Sequence, residues 1–257
     1  MHRRCVLQCL VALFTVAPAL AADLVAELDW SRRAALGIPL SGVVREVAVR
    51  PGQRVARNDL LVALDDRLWV AQVAQAKAAL QQARNDRDEA RRELDRALEL
   101  FERALLSEHE RQQAEIDAAA ANAAYERARL AATAARLALE YSRLRAPFAG
   151  VVSRVHVSVG EAVISALQAK PLVELVDDQH MIAVARVSAK QARTWPAGTP
   201  ARVAVAGEWY DGQVIGADLE PSGEGKQGTV YPLRVAFKRP ADLPLRAGER
   251  VEVRIGE

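Results

Sequence analysis

Three of the four histidines (His109, His156 and His180, all beyond residue 21), two cysteines, Cys5 and Cys9, and five lysines are the side chains of this 257-residue chain best suited to chemistry: metal ligation, nucleophilic attack and carriage of a covalent group. Their placement supports none of these. The histidines are scattered without ligand spacing, and Met181, the only methionine besides Met1, argues against a methionine-based copper site. Both cysteines fall in the first 21 residues, so a chain without that segment has no thiol for a disulfide, a thiolate metal site or a nucleophile. No paired carboxylates in a glycine-rich cleft, nucleophile elbow or phosphate loop stands out. The reading is therefore no enzyme, no cofactor and no metal; the protein is expected to work through its surfaces.

The first residues read as a secretory signal over 1–21: Arg3 and Arg4, a mostly apolar run from Val6 to Leu20, and a small-residue cleavage site at Ala19-Leu20-Ala21. The run is shorter than the roughly 20 apolar residues that span a bilayer, and Gln8 interrupts it, which favours cleavage over an uncleaved anchor. Leu7-Gln8 stands before Cys9 where a lipoprotein signal would carry small residues, so lipid anchoring is disfavoured. Removing Arg3 and Arg4 lowers the basic count from 35 to 33, equal to the 33 acidic residues, for a formal charge of zero. That balance offers no net basic face for nucleic acid.

Glycine and proline punctuate both ends of the chain and are missing from its middle: after Gly52 the next proline is Pro147 and the next glycine Gly150. Losing the two strongest breakers over so long a stretch predicts long helix. Apolar positions there alternate in steps of three and four. One seam runs Val73, Ala76, Leu80, Ala83, Arg87, Ala90, Leu94, Ala97, Phe101, Ala104; a second runs Ile116, Ala120, Ala123, Arg127, Leu130, Ala134, Leu137, Tyr141, Leu144. Seven-residue spacing of this length predicts coiled-coil packing, with alanine allowing close approach. Ser107, with Glu110 three residues on, has capping-box spacing and sets the fold-back point. Two antiparallel arms follow, each on the order of 50 to 60 Å. Arg87 and Arg127 come to the same level, near Asp86, Asp88 and Glu126, and are expected to snorkel outward.

The flanking segments nearly repeat each other. Gly42-Val43-Val44 opens an alternating strand followed by a turn at Gly52 and Leu60-Leu61-Val62; Gly150-Val151-Val152 opens another followed by Gly160 and Leu172-Val173-Glu174-Leu175. Two such halves can close one β-sandwich if the inserted helices return to their starting point. Beyond His180, five strand-like segments, with Ser188 capping a short helix, predict a compact barrel. The fold class is mixed α and β, elongated: an antiparallel coiled-coil α-hairpin inserted in a split lipoyl-like β-sandwich, followed by a small β-barrel domain. The boundaries are 1–21 signal, 22–39 a strand region contributing to the barrel, 40–66 the first lipoyl-like half, 67–143 the hairpin, 144–178 the second half and 179–257 the barrel.

With Ser41-Gly42-Val43-Val44, the heptad hairpin, Arg145-Ala146-Pro147-Phe148-Ala149-Gly150-Val151-Val152 and Leu245-Arg246-Ala247-Gly248-Glu249 in place, most of the chain resembles the periplasmic adaptor, or membrane-fusion, subunits of the HlyD/RND-type family in tripartite efflux systems. The resemblance implies an adaptor in the periplasm linking an inner-membrane transporter, RND-type favoured over ABC-type, to a TolC-type outer-membrane channel, with copies associating into a ring. It also implies a docking motif at the hairpin tip, matched here by Arg96, Leu100 and Ser107. Arg96 would donate to channel carbonyls or carboxylates, Leu100 would fill an apolar notch, and Ser107 would cap the second helix at the contact. None of Lys77, Lys170, Lys190, Lys226 and Lys238 occupies the inter-half turn that a lipoyl carrier needs, because the hairpin fills it. Where the family has a turn glycine this chain has Asn58, which tolerates the left-handed conformation. Larger members add a membrane-proximal domain from both chain ends, and here Glu257 follows soon after the last strand, so the transporter contact is left open. A structural coiled-coil envelope protein and a type I secretion adaptor are the alternative readings.

Overall fold

The computed structural model describes residues 22–164, 170–225, 228–240 and 242–256. The expected signal over 1–21 lies outside the described residues. The chain divides into two units, one from Arg32 to Asp177 and one that combines the preceding strand with the chain from Asp178 onward.

After β1 (Ala22–Trp30), the first unit holds β2 (Arg33–Leu36), β3 (Gly42–Val47), β4 (Arg54–Val55), β5 (Leu60–Leu64), α1 (Arg67–Glu102), α2 (Glu108–Tyr141), β6 (Arg143–Arg145), β7 (Gly150–Val155), β8 (Ala162–Val163) and β9 (Val173–Val176). Its strands form two sheets, β2-β9-β7-β4 and β6-β5-β3-β8. Each sheet draws strands from both sides of the hairpin, so neither half closes alone. The core between them is Val44, Leu61, Val62, Leu64, Val152, Val173 and Leu175, all at most 1% exposed. Aliphatic burial of this kind contributes about 1.5–3 kcal/mol per side chain relative to exposure. Gly150 is required by packing: a Cβ there would lie 2.2 Å from the Val176 carbonyl oxygen across the β7–β9 pair. Asn58 adopts φ +74°, as its residue type allows, and its N–H donates to the Ala146 carbonyl at 2.7 Å, tying the first half to the second.

The two helix feet meet beside β5. Asp66, 5% exposed, precedes α1 but its carboxylate makes no capping bond. It accepts instead from Arg45 of β3 at 2.8 Å and from Arg143 of β6 at 2.7 Å. Alongside, the Leu64 N–H donates to the carbonyl of fully buried Ser142, the residue after α2, at 2.9 Å. One carboxylate thus joins the strand before the hairpin, its first helix and the strand after it.

The segment 22–39, expected to contribute to the barrel, is shared between the two units. Only β1 enters the barrel; β2 pairs with β9 of the sandwich. Ala34, Leu36 and Ile38 point alternately into the sandwich core, and the Arg32 guanidinium lies 3.9 Å from the Phe148 ring centroid, so the chain changes unit at Ser31-Arg32.

The second unit adds β10 (His180–Ser188), α3 (Ala189–Thr194), β11 (Pro200–Val205), β12 (Glu208–Ala217), β13 (Gly223–Gly225), β14 (Gly228–Lys238) and β15 (Arg250–Ile255) to β1. Six strands run β10-β1-β15-β11-β12-β14, and β14 pairs back onto β10, closing the barrel; β13 extends along β14. Closure leaves no ladder edge among these six. Leu28, Met181, Leu233, Val235, Val253 and Ile255 fill the inside, and Trp195 after α3 belongs to the same buried cluster. Ser188 caps α3 through a reciprocal pair with Gln191.

Arg143 foremost, with Arg45, holds the Asp66 carboxyl below the usual carboxylate range despite its burial. Asp66→Asn should therefore destabilise the protein by about 2 kcal/mol, less than a fully buried pair would lose because both guanidinium groups reach solvent. A carboxylate whose pKa is depressed by folding stabilises above its unfolded pKa and loses that contribution as pH falls through the folded value. Urea unfolding of parent and variant should show a constant difference above about pH 5 that shrinks below about pH 4.

Candidate functional site

The hairpin is built from two contacts that fix its register. The Arg87 guanidinium of α1 lies 4.1 Å from the Tyr125 ring centroid of α2, and Arg111 of α2 lies 5.3 Å from the Phe101 ring centroid of α1. Fourteen residues forward on one arm are matched by fourteen back on the other, an antiparallel pairing in steps of two heptads. Arg87 also bonds Asp88 at 2.6 and 3.0 Å; it is held between the arms, contrary to the expectation that it snorkels outward, because a carboxylate and an aromatic face both meet it there. Arg127 is exposed as expected.

On α1 the expected seam positions Val73, Ala76, Leu80, Ala83, Arg87, Ala90, Leu94 and Ala97 are all half-buried. At the end the seam shifts by one: Leu100 is half-buried while Phe101 is 36% exposed. On α2 the expected seam is on the wrong face. The side turned to α1 is almost pure alanine, with Ala114, Ala118, Ala121, Tyr125, Ala128, Ala132 and Ala135 half-buried or buried. Ile116, Leu130, Leu137 and Tyr141 stand outward at 60%, 72%, 42% and 49% exposure. Two heptad registers overlap in this alanine-rich helix. The alanine register takes the inner position because small side chains let α2 approach the larger Val73, Leu80 and Leu94 of α1 closely.

At the tip the turn is fully capped. Leu105 donates its N–H to the Leu100 carbonyl at 2.9 Å and Ala104 to the Phe101 carbonyl at 2.8 Å, the paired bonds of a Schellman ending. Ala104 occupies the left-handed region at φ +56°, where glycine is the usual residue. Ser107 opens α2: its hydroxyl accepts from the Glu110 N–H at 3.3 Å, and its own N–H donates to the Glu110 carboxylate at 2.9 Å. The Ser107 hydroxyl bond, then its backbone N–H, hold the Glu110 carboxyl below its ordinary range. Arg111 pairs with Glu108 at 2.5 Å and with Glu115.

Of the three expected docking residues, Arg96 is exposed on α1 and ion-paired with Glu93 at 2.7 Å. Leu100 lies one turn on, half-buried, and Ser107 is exposed in the capping box. All three thus occupy the last turns before and the first residue after the reversal. The left-handed Ala104, the exposed Leu105 and the outer apolar stripe of α2 were not legible as surface features from spacing alone. Among the described residues no group of three or more His, Cys, Asp or Glu is arranged to hold a metal ion, and no helix is long and apolar enough to cross a membrane.

The sequence profile of the CzcB-like, barrel-sandwich hybrid domain matches residues 32–170, more than half of the chain. No curated protein matches it in sequence. Among solved structures, the MacA-MexA chimeric protein containing the Pseudomonas aeruginosa MexA α-hairpin domain is 22% identical at a TM-score of 0.72, over 92% of this chain and 80% of that one. MacA from Actinobacillus actinomycetemcomitans is 19% identical at 0.74, over 91% and 78%. The membrane fusion protein Spr0693 from Streptococcus pneumoniae R6 is 15% identical at 0.71, over 91% and 98%. At these identities the likeness is one of fold.

Two substitutions test the tip geometry by thermal unfolding. Ala104→Gly relieves the left-handed strain and should stabilise by about 1 kcal/mol. Ser107→Ala removes the cap and should cost about 1 kcal/mol.

Proposed function

The chain belongs to the CzcB-like, barrel-sandwich hybrid domain family, and we propose that it is an adaptor of the membrane-fusion type that links an inner-membrane transporter to a TolC-type outer-membrane channel for efflux of small molecules. The observation that carries this reading is the capped hairpin tip with Arg96 turned to solvent on the last turns of α1. Arg96 supplies the charged contact to carbonyls or carboxylates of the channel, Leu100 the apolar one, and Ser107 holds the second helix at the contact surface. An RND-type transporter is the proposed inner partner in preference to an ABC-type one, on the family resemblance. Residues 1–21 are proposed to be removed on export, placing the protein in the periplasm at the inner membrane.

Self-association into a ring is supported by the outer face of α2. Ile116, Leu130, Leu137 and Tyr141, with Ala120, Ala123 and Ala134 between them and a single charge at Arg127, keep seven-residue spacing along one exposed side. Apolar surface repeated at that period is what a neighbouring helix covers. A heterologous contact of one copy's hairpin with the next generates a ring when the rotation closes.

Arg96→Asp should lower affinity for the purified channel at least about tenfold while far-ultraviolet circular dichroism shows unchanged helix content. Equal binding by variant and parent would contradict the tip assignment. Leu130→Glu combined with Leu137→Glu should abolish the higher oligomers of the parent in sedimentation velocity without unfolding the hairpin, since both side chains are outward.

A further inference from the structure

Between Arg103 and Ser107 the chain reverses, and what it displays there is a leucine. Leu105 is 69% exposed, more than Phe101 at 36% or Leu98 at 37% on the same end of the hairpin. A lone exposed leucine is ordinary on a protein surface. Three observations single this one out. First, its backbone is pinned by the bond from its N–H to the Leu100 carbonyl at 2.9 Å. Second, the side chain in this position of a Schellman ending usually packs back onto the helix it terminates, and Leu105 leaves most of its surface in water. Third, the left-handed turn that aims it is made by alanine at φ +56°, a conformation that disfavours any residue with a Cβ. Strain of this kind, held by surrounding bonds, clusters at binding surfaces. Along the chain Leu105 stands beside half-buried Leu106, with exposed Glu102, Arg103, Glu108 and His109 on either side of the pair.

Position decides the kind of partner. The apolar stripe of α2 runs along the side of the hairpin and suits a neighbouring copy, whereas Leu105 sits in the reversal itself, where only a partner meeting the hairpin end-on covers it. We propose that Leu105 is the apolar anchor of the tip, held outward by the left-handed turn at Ala104, and that it seats in an apolar notch between helix ends of the outer-membrane channel. The inference rests on the adaptor reading and adds to it a residue outside the Arg96, Leu100, Ser107 set. Leu100, half-buried one turn back, keeps its own apolar contact and in addition accepts the backbone bond that pins Leu105.

The test measures binding of the purified protein to an immobilised, detergent-solubilised TolC-type channel from the same organism, with circular dichroism and sedimentation velocity on every variant. Leu105→Ser should weaken binding at least about tenfold, with helix content and self-association unchanged. Leu105→Met, apolar and of similar volume, should bind like the parent, and so should Leu98→Ser on the flank of α1. Loss of binding in Arg96→Asp together with parental binding in Leu105→Ser overturns the anchor and leaves the adaptor reading standing. A Leu105→Ser variant that loses self-association in the absence of channel overturns the end-on assignment in favour of a contact between copies. Failure of the parent itself to bind overturns the adaptor reading and the anchor together.

Discussion

Everything in the first unit depends on the hairpin returning to its starting point. The sandwich is split: β2 to β5 precede the helices, β6 to β9 follow them, and each sheet takes strands from both groups. The core therefore closes only if α2 ends beside the place where α1 began. Asp66 enforces this, since one buried carboxylate binds arginines from the strand before and the strand after the insertion. A single unpaired charge at that point would be costly in a desolvated site. The same constraint sets the arm lengths at 36 and 34 residues, because two helices with common feet and a short capped turn must match.

Given matched arms, side-chain size decides which surfaces are left for other molecules. Alanine lines the inner side of α2 and takes up the larger residues of α1, so the large aliphatics of α2 are turned away from the pair. The interior of a hairpin this thin cannot bury both faces of a helix. What would be core in a larger bundle becomes outward apolar surface. Arg87, stacked on Tyr125 and bonded to Asp88, marks the register at mid-height without requiring a continuous apolar seam.

Much of this was legible in the sequence, because the signals were local. The gap in glycine and proline, the serine and glutamate three apart at Ser107 and Glu110, and the twin Gly-Val-Val openings each report a backbone requirement that neighbours cannot override. The strands of the barrel and the cap at Ser188 were readable for the same reason. What escaped was decided by packing across the chain. Two heptad registers coexist in α2, and the larger residues of one made it look like the seam; only the fit against α1 selects the alanine register. The partnership of β2 with β9 depends on where Ile38 and Leu36 find a core, which no local pattern states. Ala104 carries no glycine to announce a left-handed turn, so the shape of the tip was hidden in an unremarkable residue type. Arg96, Leu100 and Ser107 were named through resemblance, and their joint place at the reversal follows from the cap that the sequence did announce.

The central claim is that the hairpin tip meets an outer-membrane channel. The most direct measurement places a photo-crosslinking residue at His109, exposed in the first turn of α2, irradiates intact cells and identifies the adduct by mass spectrometry. The account predicts a specific adduct with a TolC-type channel. Adducts only with other copies of the chain, or with none but soluble proteins, would contradict it.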